Sequence, residues 1–113
     1  MKEIKAIIQP FVADKVISSL REMTDLPGVT VSQVKGFGRG RALGRPDSPE
    51  EAEIFGVKKI KFEIVVPDDL VEKVVQLIAK HAHTGNPGDG KIFVSTVDDV
   101  VKIRTGERGE KAI

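Results

Sequence analysis

Twice along this chain a stretch of period-two residues gives way to one of helical period, and the period-two pattern then returns. In the first unit Ile4, Ala6 and Ile8 alternate with Glu3 and Lys5, which reads as a strand ended by Pro10. Val12, Val16, Leu20 and Met23, with Ile17 beside them, recur at helical spacing, so a helix is expected from about Ala13 to Met23. Leu26-Pro27-Gly28 breaks it, and the β-branched run from Val29 to Phe37 reads as a second strand. In the second unit Ile60, Phe62, Ile64 and Val66 alternate with Lys59, Lys61 and Glu63. Pro67-Asp68-Asp69 then opens a helix, with Asp69 and Glu72 at capping-box spacing, whose wide apolar stripe runs from Leu70 to Ala82. Lys91 to Val97 reads as the fourth strand, and Val101-Lys102-Ile103-Arg104 as a short fifth.

Two strand–helix–strand units in a chain of 113 residues imply a single α+β domain of the split βαβ, or ferredoxin-like, kind. Both helices then cover one face of a four-stranded antiparallel sheet. Ile7, Val34 and Val65 would meet water on the other face, so self-association through that face is expected.

Charge and composition narrow the function. Eighteen Lys and Arg stand against 17 Asp and Glu, a net charge of +1 that argues against nucleic-acid or membrane-surface binding. The chain has no cysteine, which removes disulfides, thiolate metal sites and cysteine nucleophiles. Met1-Lys2-Glu3-Ile4-Lys5 lacks an apolar run of signal-peptide length, and no segment is apolar enough to span a bilayer, so a cytoplasmic domain is expected.

Two segments escape the periodic pattern. From Gly38 to Gly56 come Arg39, Arg41 and Arg45, then Pro46-Asp47-Ser48-Pro49, then Glu50, Glu51 and Glu53, in a loop long enough to suggest function. The other is Thr84-Gly85-Asn86-Pro87-Gly88-Asp89-Gly90-Lys91, leading into a strand. Gly88 and Gly90 can turn successive N–H groups into one concavity, and Lys91 adds a mobile charge, which suits phosphate oxygens. By itself a Gly-Asp-Gly sequence is more often only a turn entering a strand. His81 and His83 point to different sides of a helix end and are assigned no metal. The pairs Asp68-Asp69 and Asp98-Asp99 read as cap and turn residues.

Taken with Ala6-Ile7-Ile8-Gln9-Pro10-Phe11, Gly36-Phe37-Gly38-Arg39 and Ile103-Arg104-Thr105-Gly106-Glu107, the loop from Thr84 to Val94 resembles the PII nitrogen-regulatory signal-transduction proteins over nearly the whole length. The resemblance implies a homotrimer with ATP or ADP between neighbouring subunits, and a T-loop at about 38–56 that reaches a target protein. It implies that Gly36, Gly38 and Arg39 line one side of the nucleotide, while Gly88, Asp89, Gly90 and Lys91 form the phosphate loop. Thr30 and Val65 match positions at the base and Ile7 flanks it; Lys102 and Arg104 match a pair that reaches the neighbour's triphosphate.

This chain departs from the family pattern at Lys102, where arginine is common, and in two places that matter more. Gly40 stands where 2-oxoglutarate sensors usually carry a glutamine that helps hold Mg²⁺, while Lys59 stands at the position that meets the acid's carboxylate. A glycine supplies no side-chain oxygen, so weakened 2-oxoglutarate binding is expected. There is no tyrosine anywhere, and Ala52 occupies the family's modification position, which rules out tyrosine uridylylation. Ser48 is available for phosphorylation but reads as turn chemistry. The expected function is a non-catalytic regulator controlling a nitrogen-pathway enzyme, transporter or regulator. The alternatives are a divergent sensor of another small anion such as bicarbonate, or a small phosphatase-type enzyme. A purely structural oligomerisation module is a further possibility.

Overall fold

The computed structural model of the protein describes residues 1–38 and 56–113. Strand β1 spans Lys2–Ile8, a 3₁₀ turn spans Pro10–Val12, and helix α1 spans Ala13–Arg21. Strands β2 (Thr30–Gly36) and β3 (Val57–Val66) follow, then a 3₁₀ turn at Asp68–Leu70 and helix α2 at Val71–Ala82. Strand β4 is Gly90–Thr96, and a last 3₁₀ turn covers Gly109–Ala112. The sheet order is β2-β3-β1-β4 with every pairing antiparallel, which is the expected ferredoxin-like arrangement.

Alternation along the strands decides which side is covered. Ile4, Ala6 and Ile8 pair in register with Ile64, Phe62 and Ile60, and their side chains meet Val16 and Leu20 of α1 and Val74, Ile78 and Ala82 of α2 in one core. Phe62, Ile4, Ile64 and Ile78 are fully buried, and each such side chain contributes roughly 1.5–3 kcal/mol relative to exposure. The opposite face carries no helix among the described residues. Ile7, Val34 and Val65 lie half-buried there, Phe93 is about half exposed at 51 %, and Lys61 pairs with Glu63 at 3.3 Å beside them.

Three local expectations are corrected. The capping box does not form: the N-terminus of α2 has no side-chain cap, and Asp68 instead accepts a hydrogen bond from the N-terminal ammonium at 2.9 Å. The preceding 3₁₀ turn moves the helix start beyond Asp69, so the spacing to Glu72 no longer spans a first helical turn. Helix α1 ends at Arg21; Met23 is still buried, but through a tighter turn in which its N–H donates to Leu20 O at 3.1 Å.

The fifth strand is absent. Only Val101 pairs, in an isolated bridge with Arg108, while Lys102 N–H donates to Glu107 O at 2.9 Å and Gly106 N–H to Lys102 O at 2.7 Å. Gly106, at φ 77°, lets the backbone reverse there, so the segment closes on itself as a small hairpin. Four alternating residues were too few to separate a strand from a turn.

Candidate functional site

Beyond α2 the chain leaves helical geometry at His83 (φ −71°, ψ 128°) and enters the glycine loop. Gly85, Gly88 and Gly90 adopt φ of 88°, 97° and 103°, a region that L side chains avoid. Gly90 is also needed for space, because a Cβ there would overlap the backbone carbonyl of Ile7. The loop is tied in two ways. Gln9 Nε2 donates to Gly88 O at 2.8 Å, pinning the loop to the end of β1. Asp89 Oδ2 accepts from Thr84 N–H at 2.8 Å and Gly85 N–H at 3.0 Å, and Asp89 Oδ1 accepts from the Thr84 hydroxyl. The Thr84 hydroxyl, followed by the backbone N–H groups of Thr84 and Gly85, holds the Asp89 carboxyl below its ordinary value of 3.8.

The sheet register places the sequence-predicted residues. Ile7 lies directly opposite Lys91, and Ile8 opposite Gly90, so these meet the loop at one end of the sheet. Strands β2 and β3 continue past β1 at that same end, with Val34 opposite Lys59 and Gly36 opposite Val57. The overhang of three residue pairs extends roughly 10 Å. At its tip Gly56 (φ 89°) packs so close to Gly36 that a Cβ would overlap the Gly36 carbonyl. Gly38 follows β2 at this end. Thr30, opposite Glu63, and Val65, opposite Glu3, lie farther along; Val65 sits four positions of β1, or roughly 13 Å, from Ile7.

By strand parity, Ile7, Thr30, Gly36, Lys59, Val65 and Lys91 all fall on the uncovered face. Lys102 and Arg104 do not join them within the strand ladder. They belong to the hairpin that leaves β4 beyond Thr96, which pairs with Lys2 at the opposite end of the sheet from Gly90. The two cations therefore do not alternate on a strand as expected; Arg104 lies in the turn itself. Arg39, Gly40, Arg41, Arg45, Ser48 and Ala52 lie outside the described residues.

Sequence reasoning missed Gln9, Thr84 and Gly56. Gln9 gave no signal, since a polar residue before Pro10 reads only as the end of a strand. The Thr84–Asp89 pair was within reach, because an Asp in a glycine-rich loop commonly folds onto nearby backbone N–H groups. On the helix side a mainly apolar groove of about 340 Å³ is lined by Ile17, Leu20, Met23, Leu26, Val29 and Val31, on the face opposite Thr30. Among the described residues no group of three His, Cys, Asp or Glu is placed to hold a metal ion, and no helix is long and apolar enough to cross a membrane.

The fold and loop together define a ferredoxin-like domain with a tied, glycine-rich loop at one end of an uncovered sheet face. Residues 1–107 match the family model described as Nitrogen regulatory protein P-II. The chain is 46 % identical over 113 residues to the Nitrogen regulatory protein P-II of Azospirillum brasilense, covering all of both chains. It is 47 % identical over 113 residues to Nitrogen regulatory protein P-II 1 of Escherichia coli (strain K12), again covering all of both. A crystal structure of Arabidopsis thaliana PII bound to citrate superposes with a TM-score of 0.78 at 44 % identity, covering 99 % of this chain and 91 % of that one. This chain belongs to the nitrogen regulatory protein P-II family.

Proposed function

We propose that this protein is a cytoplasmic PII-type signal-transduction regulator. It binds ATP or ADP competitively between the subunits of a homotrimer and controls a target protein through the loop at 38–56. The observation that carries the reading is convergence: of the seven strand-borne residues expected at the nucleotide or its effector, all but Gly90 fall on the one uncovered face, and the glycine loop that Gly90 closes opens at its end. Gly88 and Gly90 offer N–H groups without side-chain obstruction, and Lys91, exposed and opposite Ile7, supplies charge. Ile7 and Val65 are apolar surface suited to the base. The apolar residues of the same face, Phe93 among them, support burial against further copies of the chain.

Separation within one chain supports a shared site. Lys102 and Arg104 leave the sheet at the end away from Gly90, so a neighbour's hairpin is the natural source of the second set of cations. A planar guanidinium at Arg104 grips two phosphate oxygens, while Lys102 contributes charge alone. Arg39, at the base of the loop, would link nucleotide and loop. With no side-chain oxygen at Gly40, Mg²⁺ would be carried mainly by the triphosphate oxygens. Bound nucleotide then biases the population of loop shapes, and the target selects one of them.

The relative bound to citrate supports the capacity of this fold for polycarboxylate or anionic ligands. Gly40 favours a second reading of the effector, in which another small anion such as bicarbonate replaces 2-oxoglutarate. Calorimetry with ATP and ADP, with and without Mg²⁺, together with light scattering for the trimer, tests the primary reading. A monomer indifferent to both nucleotides overturns it. Titration of 2-oxoglutarate and bicarbonate into the ATP-loaded protein then separates the effectors.

A further inference from the structure

Resting on the nucleotide reading above, we propose that Asp89 is a positioning residue: it sets the shape of the phosphate loop through Thr84 and Gly85 and makes no contact with the ligand. A carboxylate in the middle of an anion cradle is electrostatically unfavourable, since it repels the phosphate it would adjoin. Its presence there needs a compensating role, and its hydrogen bonds supply one. Both oxygens are engaged inside the loop: Oδ2 by the N–H groups of Thr84 and Gly85 at 2.8 and 3.0 Å, Oδ1 by the Thr84 hydroxyl. That hydroxyl in turn accepts from Asn86 N–H at 3.2 Å, so three consecutive backbone positions beyond α2, Thr84 to Asn86, are tied to one carboxylate directly or at one remove.

The need for such a tie follows from the glycines. Gly85, Gly88 and Gly90 all hold positive φ, and free glycine populates either sign readily, so the untied loop would divide itself among many shapes. Gln9 fixes only the Gly88 carbonyl and the sheet fixes only Gly90 onward. Asp89 ties the start of the loop, Thr84 to Asn86, back onto itself. With three donors on the carboxylate, its charge is also partly spent within the loop before a phosphate arrives.

Two expectations of opposite sign make this testable. If Asp89 only repels the ligand, Asp89→Asn tightens ATP binding. If it braces the loop, Asp89→Asn weakens binding, by about tenfold where the competent loop shape falls to about a tenth of the population. Calorimetry of the full-length protein should show that weakening for Asp89→Asn and for Thr84→Val, both in Mg²⁺ and in EDTA. The double variant should be no weaker than either single one, because both break the same clasp. Thr84→Ser, which restores a hydroxyl, should recover most of the affinity lost in Thr84→Val, and inorganic tripolyphosphate should lose the same factor as ATP. Thermal midpoints recorded in parallel separate a local loss from unfolding, and the Thr84 pair reads the clasp even if Asp89→Asn fails to fold.

Unchanged or tighter ATP binding in folded Asp89→Asn overturns the inference, as does additivity with Thr84→Val. A loss seen only in Mg²⁺ makes Asp89 a metal ligand and also overturns it. A wild-type protein that ignores ATP removes the nucleotide reading and the inference with it, whereas wild-type binding with insensitive variants removes the inference alone.

Discussion

The loop at 84–90 and the hairpin at 98–109 both carry residues expected at phosphate, yet they are built in opposite ways. The loop is anchored to the sheet: Gln9 holds Gly88, Gly90 packs against Ile7, and Lys91 is already a member of β4. The hairpin is held mainly to itself, by the Val101–Arg108 bridge, the 2.6 Å pair of Arg108 with Asp99, and Gly109 N–H donating to Val100 O at 3.0 Å. Its tip presents Ile103 almost wholly to solvent, at 99 % exposure in the single chain, beside exposed Arg104. A segment with local closure and an uncovered apolar tip is suited to meeting another surface, while one welded to the sheet is suited to receiving a ligand. Under the proposed shared site, the difference would separate a preformed half-site from a half that a neighbour completes.

Glycine substitutions test that contrast most strongly. Gly90→Ala introduces a Cβ into the Ile7 carbonyl at φ 103°, so the β1–β4 register must yield, and a loss of about 2–4 kcal/mol is expected in denaturant unfolding. Gly106→Ala meets nothing within 4 Å and bears only the positive-φ cost, about 1–2 kcal/mol. Equal losses at the two positions would mean that the loop is no better anchored than the hairpin.

Binding should divide along the same line. Lys91→Ala is expected to weaken ATP by about 1.5–3 kcal/mol, the worth of a charge-assisted hydrogen bond, without dissociating the oligomer. Arg104→Ala, on an exposed hairpin, should cost about tenfold or less and leave the thermal midpoint unchanged. Mixing Lys91→Ala with Arg104→Ala subunits sharpens the comparison: a shared site regains some wild-type clefts in the mixed oligomer, and a site within one chain regains none.

Acid should loosen both segments, and this is the smallest of the expected effects. Hydrogen bonding by the Thr84 hydroxyl lowers the Asp89 pKa, and hydrogen bonding by the Arg108 guanidinium lowers that of Asp99, each from an ordinary 3.8. A carboxyl with a depressed pKa in the folded state contributes its full stabilisation above its unfolded value and loses it as pH falls through the folded value. The clasps should therefore persist down to pH 3.8 and release below it, read as shifts of the Thr84 and Val100 amide resonances. Release well above that value would show that neither carboxylate is held as the structure places it.

Periodicity made the layers legible. Alternation from Ile4 to Ile8 and from Lys58 to Val66, together with the stripes of the two helices, specified which faces meet, because burial imposes the same spacing wherever a two-layer domain forms. The glycine loop was legible as a turn entering a strand, with Gly88, Gly90 and Lys91 as its candidate phosphate residues, although that pattern alone more often marks only a turn. Contacts set by distant pairings were not legible. Asp68 reads as part of a helix cap until the N-terminal ammonium is seen beside it, at 2.9 Å. Gln9 is silent until the loop from the far end of α2 is laid against it. Val101 to Arg104 looks like a strand, but no free strand in the described sheet lies beside it to complete a ladder.

The sequence by itself determined the ferredoxin-like alternation, the sidedness of the sheet and the glycine positions, since each follows from local period or from backbone angles that one residue type alone tolerates. Only the tertiary structure decided that Gln9 anchors the glycine loop, and that the hairpin cations leave the sheet at the end away from the glycines. Those outcomes depend on strand register and on which donors arrive from residues far apart in the chain, and hydrogen bonds of that kind leave no periodic trace.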